Sequence, residues 1–169
     1  MPKALVVYYS RTGNTKKMAV RVAGALKDSG LPTDLKKVEE TAPSDLLSYD
    51  LILVGSPVYY GTMAWPVKKL LDESVKFHGK LKGKVGGAFV SSGNPSGGKE
   101  TAVLDILKSL LIHGMIVQGD HKGDHYGPAA VHAPVDRDLK SLDDYAAKLA
   151  ALTGRLFPAS DAKTPGKKR

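Results

Sequence analysis

Apolar residues fall along this chain in short continuous runs, separated by stretches in which they recur every three or four positions. Lys3 to Tyr9 (KALVVYY) is short, apolar and β-branched, the pattern of a strand buried on both faces. A polar turn follows, Ser10-Arg11-Thr12-Gly13-Asn14-Thr15. Next comes a helix to about Asp28, with Met18, Ala19, Val22, Ala23 and Leu26 on one face. Gly30 stops it. A weaker strand is expected near Thr33 to Val38 and a buried one at Asp50 to Gly55 (DLILVG), followed by a loop from Ser56 to Trp65. Pro66 suits the first turn of a helix carrying Val67, Leu70 and Leu71. Val85 to Ser91 (VGGAFVS) reads as a further strand, and its loop, Ser92 to Gly98, leads into a long helix with Val103, Leu104, Leu107 and Leu111. Met115 to Val117 begins the last strand. A closing helix from about Leu139 to Leu156 buries Leu142, Ala146, Leu149 and Leu152.

Strands alternating with helices imply right-handed crossovers and a parallel sheet covered on both faces. The expected fold is α/β, a three-layer doubly wound sandwich with a five-stranded parallel sheet in the order 2-1-3-4-5. In such a sheet a ligand binds beyond the carboxyl ends of the strands, where the order reverses beside strand one. The loops after strands one, three and four should converge there, and those are the loops of unusual composition.

Length and charge bound the picture. The chain of 169 residues fits one domain, expected over 1–157, with 158–169 as a basic, frayed segment holding Lys163, Lys167, Lys168 and Arg169 against Asp161. The formal net charge is +8, which speaks to solubility and association rather than to fold. No aromatic residues interleave with basic ones as a nucleic-acid surface would require, so no specific nucleic acid is expected. The absence of cysteine excludes disulfides, thiolate metal sites and a cysteine nucleophile. No run approaches the roughly 18 apolar residues of a membrane span. A cytoplasmic location is the expectation.

The first loop brings three hydroxyls, an amide and a glycine to a strand-to-helix junction. A helix N-terminus offers free backbone N–H groups and a positive dipole end, so it takes a phosphate readily. Ser10, Thr12 and Thr15 add hydroxyls, Asn14 an amide, and Gly13 allows close approach of the backbone. Neither a triphosphate-binding lysine nor the further glycines of a dinucleotide fingerprint follow. The plainer alternative is a helix cap, although a cap needs one side chain rather than four. The second loop, Ser56 to Trp65, holds Tyr59, Tyr60, Met63 and the only tryptophan. Stacking against a flat ring would explain the aromatics; ordinary packing under the next helix is the alternative. The third loop, Ser92-Gly93-Asn94-Pro95-Ser96-Gly97-Gly98, is suited to offering backbone groups to the polar edge of a ligand. Asp120, His121, Asp124 and His125 form a cluster that suggests a metal, but its loop setting and lack of a further ligand favour a solvated loop.

Ser-x-Thr-Gly-Asn-Thr after strand one resembles the FMN phosphate loop of flavodoxins. From the start to about Leu156 the sequence also resembles NAD(P)H:quinone oxidoreductases of the tryptophan-repressor-binding-protein type. That resemblance is carried by Tyr8-Tyr9-Ser10, Gly55-Ser56-Pro57, Tyr60-Gly61-Thr62-Met63, Gly97-Gly98-Lys99-Glu100-Thr101, His113-Gly114-Met115 and Tyr126-Gly127-Pro128. It implies a flavodoxin-like fold and FMN as cofactor, with the phosphate on Ser10, Arg11, Thr12, Gly13, Asn14 and Thr15. It places the isoalloxazine against Pro57, Val58, Tyr59, Tyr60 and Gly61 and against Ser92, Gly93, Asn94, Pro95, Ser96 and Gly97. His113 matches a histidine at the flavin site, and a helix C-terminal cap is its plainer role. The chain departs from that family in lacking the insertion before strand three, in a short Gly119 to Tyr126 segment, and in having Phe77 and His78 rather than tryptophan between Asp72 and Gly83.

The resemblance implies two functional readings. One is an oxidoreductase passing electrons from NAD(P)H to a quinone or similar small acceptor. The other is an electron carrier docking on redox proteins, which would need acidic surfaces to meet this basic chain. A homo-oligomer is a further implication. No acid, base or nucleophile constellation is required, because the flavin would carry the chemistry.

Overall fold

The computed structural model describes residues 1–158; the greater part of the basic segment lies outside the described residues. In chain order the elements are β1 (Ala4–Tyr8), α1 (Asn14–Asp28), β2 (Thr33–Lys37), β3 (Leu51–Tyr59), β4 (Thr62–Met63), α2 (Trp65–Glu73), β5 (Val85–Ser92), α3 (Lys99–Ile112), β6 (Ile116–Val117), β7 (Ala129–Val131) and α4 (Asp136–Leu156). The sheet runs β2-β1-β3-β5-β6 with every neighbouring pair parallel, which is the doubly wound order that the alternating pattern predicts.

Each face of the sheet carries its own core. Leu5, Val7, Ile52, Val54, Ala88 and Val90 point to the side covered by α2 and α3. Val6, Tyr8, Leu51, Leu53 and Phe89 point to the side covered by α1 and α4. The period-two alternation along strands buried on both faces is why their sequences read as unbroken apolar runs. Glycines in β5 set how close the helices come. A Cβ on Gly87 would lie 2.5 Å from Leu53 and 2.6 Å from the Tyr145 hydroxyl of α4, and one on Gly86 would lie 3.0 Å from Leu110 of α3.

Four details differ from the sequence reading. The last sheet position is filled by two short strands, β6 against Val85 and Gly86 and β7 against Val90 to Ser92. The intervening stretch is rich in Gly, Asp and Pro, so the three residues of β7 gave no apolar run; the free edge of β5 makes them a strand. β3 continues past Gly55 to Tyr59, because β4 turns back and pairs with it, Val58 with Met63 and Tyr59 with Thr62. α4 starts earlier than expected, at Asp136, where the Asp138 carboxylate accepts the Val135 N–H at 3.0 Å. In α3 the buried stripe is Ala102, Val103, Ile106, Leu107 and Leu110, which leaves Leu111 54% exposed and Leu104 half-buried; in α4, Leu152 is partly buried.

Candidate site at the carboxyl edge of the sheet

β1, β3 and β5 are adjacent and parallel, so the loops that follow them leave the same edge side by side. In the first, Gly13 caps α1 in the left-handed region at φ +98°, a conformation that favours glycine. The Ser10 hydroxyl oxygen accepts the N–H groups of Gly13 and Lys16, each at 3.2 Å. At the start of this 15-residue helix, among the described residues, the N–H groups of Asn14 and Thr15 have no acceptor. Beside them lies a cleft of about 560 Å³ lined by Ser10, Arg11, Thr12, Gly13 and Lys16 and, at its far end, by Lys37, Glu39 and Glu40. Two free amides and the hydroxyls at a helix N-terminus, with Arg11 and Lys16 beside them and Glu39 and Glu40 only at the far end with Lys37, suit an anion such as a phosphate. Thr15 takes a different role from the one its hydroxyl suggested. It is buried, and its Oγ1 lies 2.8 Å from Ser91 Oγ, tying the first loop to β5.

The second loop is a two-residue β-hairpin turn. Tyr60 and Gly61 both have positive φ, 49° and 79°, which defines the primed turn family that matches the twist of antiparallel strands. The turn drives the Tyr60 side chain fully into solvent, with Tyr59 39% and Trp65 71% exposed, while Met63 joins the core. Tyr59, Tyr60, Met63 and Trp65 line a second cavity of about 700 Å³. Pro57 and Val58 are half-buried at the end of β3. Ser56, wholly buried, accepts the Ala64 N–H at 2.8 Å and so ties the base of the hairpin to the start of α2.

The third loop is held by its own polar groups. Ser92 Oγ donates to the Asn94 carbonyl at 2.8 Å and accepts the Asn94 N–H at 3.2 Å. Asn94 Oδ1 accepts the Ser96 N–H at 2.8 Å, and the Asn94 carbonyl accepts the Gly97 N–H at 3.1 Å. Several amides that the sequence reading assigned to a ligand thus shape the loop itself, with Gly93, Asn94, Pro95 and Ser96 exposed. The second and third loops touch. A Cβ on Gly98 would lie 2.6 Å from Gly61 Cα, and the Thr101 hydroxyl reaches the carbonyls of Gly61 at 2.6 Å and Gly98 at 2.9 Å. Thr62 donates to Asp105 at 2.6 Å, and Lys108 also pairs with Asp105, so its carboxyl is held below the usual range. Asp105 had no signal in the sequence; only the register of the hairpin against α3 gives it this role.

His113 is a correction. It follows the last residue of α3, about 20 Å along the helix from the third loop, at the opposite edge of the sheet. The resemblance put it at the flavin site, but the direction in which α3 crosses the sheet sets it at the other edge of this chain. Within this chain it does not join the three loops. Its ring is buried, with Nε2 2.7 Å from Ser74 Oγ. Ser74 spends its one proton on the Leu71 carbonyl at 2.6 Å, so the Nε2–H donates to Ser74, Nδ1 is buried without a partner among the described residues, and the pKa of the ring is lowered by burial and by His78. The histidine–aspartate cluster has other work. Asp120 pairs with Lys148, Asp124 accepts from Ser141 at 2.7 Å, and His125 Nδ1 lies 2.7 Å from the Asp120 carbonyl.

A helix N-terminus with free amides, an aromatic hairpin and a glycine-rich loop, all at the switch point of a doubly wound sheet, form an arrangement of the flavodoxin type. The flavodoxin domain family matches residues 5–111, more than half of the chain, and the chain belongs to that family. A protein of Archaeoglobus fulgidus named NAD(P)H dehydrogenase (quinone) is 30% identical over 190 residues, covering 92% of this chain and 100% of its own length. A flavodoxin of Aquifex aeolicus is 40% identical over 148 residues, covering 83% and 80%. The solved structure of a flavodoxin, WrbA-like protein from Agrobacterium tumefaciens superposes with a TM-score of 0.78 at 26% identity, covering 92% of this chain and 99% of that one. Among the described residues no helix is long and apolar enough to cross a membrane.

Proposed function

We propose that this chain binds FMN across the three loops and acts as an oxidoreductase that takes electrons from NAD(P)H and passes them to a quinone or a similar small acceptor. The observation that carries the enzyme reading over the carrier is the third loop, which is exposed and brings no ring to the site between Ser92 and Gly98. The loop therefore leaves one face of a bound flavin open to a second flat molecule. The names of relatives that are dehydrogenases acting on quinone support the same reading.

When bound, FMN supplies hydride and electron chemistry. The residues of the chain do the rest. Asn14 and Thr15 amides, with Ser10 and Thr12 hydroxyls and the charges of Arg11 and Lys16, hold the phosphate. Tyr59 and Tyr60 would offer aromatic surface to the ring system, and the Ser92 to Gly97 loop would offer it backbone groups. The hairpin geometry also bears on the choice. A carrier commonly reorients a backbone carbonyl as its flavin gains one electron. Turning over the Tyr60–Gly61 peptide would convert the turn to one whose first residue must occupy a region that suits glycine, not tyrosine. That favours a hydride acceptor. The carrier reading keeps the support of the compact chain, of the Ser10 to Thr15 loop that resembles that of flavodoxins, and of the relative named flavodoxin.

Anaerobic mixing of the FMN-loaded protein with NADH and with NADPH tests the proposal. Bleaching of the flavin by one of them, followed by turnover with a benzoquinone, is expected. A blue radical species that accumulates on slow photoreduction, with no bleaching by either nicotinamide, would replace the enzyme by the carrier. Acid release of a chromophore other than FMN would overturn the cofactor.

A further inference from the structure

At the amino-terminal edge of the sheet, opposite the three loops, unpaired positive charge and exposed aliphatic surface coincide. Residues 74–98 contain no aspartate or glutamate. Within them Lys76, Lys80 and Lys82 are exposed, and among the described residues none has a carboxylate within ion-pair distance or a side-chain hydrogen bond. Lys84 differs: its ammonium turns inward to the carbonyls of Leu47 and Tyr49. Beside these lysines Val75 is 65%, Leu111 54% and Ile112 72% exposed. Val75, His78 and Ile112 wall a shallow cavity of about 310 Å³ together with Asp72. The carboxylates of Asp72 and its neighbour Glu73 are each neutralised by a lysine of α2, Lys68 and Lys69 respectively. The Gly83 N–H donates to the Gly114 carbonyl at 2.9 Å, so the lysine-bearing segment and the end of α3 form one surface. α4 runs back from the carboxyl edge and ends at this same edge, on the other side of the sheet, with Arg155 in its last turn. Beyond the described residues the sequence continues with Lys163, Lys167, Lys168 and Arg169 against Asp161.

We propose that this edge is a peripheral docking surface for an anionic lipid bilayer, with the lysines at the headgroups and Val75, Leu111 and Ile112 entering the interface. Charge complementarity requires an anionic partner. The lysines are not fixed by hydrogen bonds, which suits a fluid layer of charge rather than a shaped acidic site. Aliphatic side chains set among lysines gain by burial at the boundary of headgroups and acyl chains. A nucleic acid would leave those aliphatics without a partner, and the only exposed ring the segment offers for stacking is His78, Phe77 being half-buried. Bound this way, the protein presents its three loops to the aqueous side. The proposal is independent of the flavin chemistry.

Flotation of the full chain with vesicles of phosphatidylcholine, and with vesicles carrying about 30% phosphatidylglycerol, tests it. Binding only to the anionic vesicles is expected, weakened on raising salt from about 50 to about 300 mM as screening shortens the reach of each charge. The combined Lys76→Gln, Lys80→Gln, Lys82→Gln variant should lose affinity by at least about tenfold, since each basic residue near the surface contributes substantially. Ile112→Ser should lose part of the binding at either salt. Circular dichroism and the thermal unfolding midpoint should be unchanged in every variant and report that they fold. Failure to float with anionic vesicles, or full binding by the triple-glutamine variant, overturns the proposal. So does tighter binding to a DNA duplex than to vesicles, or a stable oligomer that Ile112→Ser dissociates, because each assigns the face to another partner.

Discussion

Tyr60 combines two features that a single substitution separates. Its backbone sits at φ +49°, where a residue other than glycine, asparagine or aspartate costs roughly 1–2 kcal/mol, and its ring is entirely exposed. Tyr60→Asn keeps a residue that tolerates the turn, so the flavin-free protein should be as stable as the parent or more so, by up to about 1 kcal/mol. The same variant should bind FMN less tightly, by the 0.5–1.5 kcal/mol that an aromatic contact contributes, to order of magnitude ~1 kcal/mol. Thermal unfolding without flavin and fluorescence titration with it read the two effects apart; loss of stability with unchanged affinity would remove Tyr60 from the site. At the phosphate, Thr12→Val and Asn14→Ala each delete a donor to a charged group, worth roughly 1.5–3 kcal/mol of FMN affinity. If titration shows neither variant weakened, the backbone amides alone hold the anion. Thr15 is different, because it is buried and its hydroxyl is hydrogen-bonded to Ser91, so its loss should register in stability.

Among the elements, α3 links the two edges of the molecule. Its first turn holds the hairpin through Thr101 and its middle through Asp105, while His113 closes its far end. The buried His113 ring has its pKa lowered, so the folded protein resists protonating it while the unfolded chain does not. The native state therefore binds fewer protons, and stability falls as the pH drops below the ordinary value of 6.5, continuing down through the lower folded value. His113→Gln should flatten this part of the profile. Melting temperatures of both proteins between about pH 8 and about pH 5 check it; parallel profiles would mean that another group titrates. The loss should appear in hydrogen exchange at the end of α3 and around Ser74 before it reaches the hairpin.

For the whole molecule, the spacing of the layers depends on β5. Gly87 stands where α4 and β3 meet the central sheet, and a methyl group there would overlap Leu53, Tyr145 and Leu149 at 2.5, 2.6 and 2.9 Å. Gly87→Ala should destabilise the fold by about 1–3 kcal/mol, because a close-packed core has no room for the added carbon. Denaturant unfolding measures this, and an unchanged midpoint would show that α4 is loosely held. Tyr145, buried with its hydroxyl accepting the Ala88 N–H at 3.3 Å and its pKa pushed up to about 12 by burial, is the side chain that must move.

The sequence by itself determined the fold class, the strand order and the edge at which the three loops meet. Hydrophobic periodicity is local, and alternation of strand and helix leaves only one hand and few orders for the crossovers. It also marked Ser10 to Thr15 as a candidate anion site, because the segment is contiguous and its composition is unusual. Only the tertiary structure decided what depended on distant pairing. The hairpin at Tyr60 and Gly61 exists because β4 meets β3, and β7 exists because β5 offers it an edge. Asp105 and Thr101 gain their roles from the register of α3 against that hairpin, and Thr15 loses part of its expected role to Ser91 on β5. His113 shows the limit most plainly: its helix and its burial follow from local pattern, but which end of a 14-residue helix faces the ligand is set by the direction in which the chain crosses the sheet.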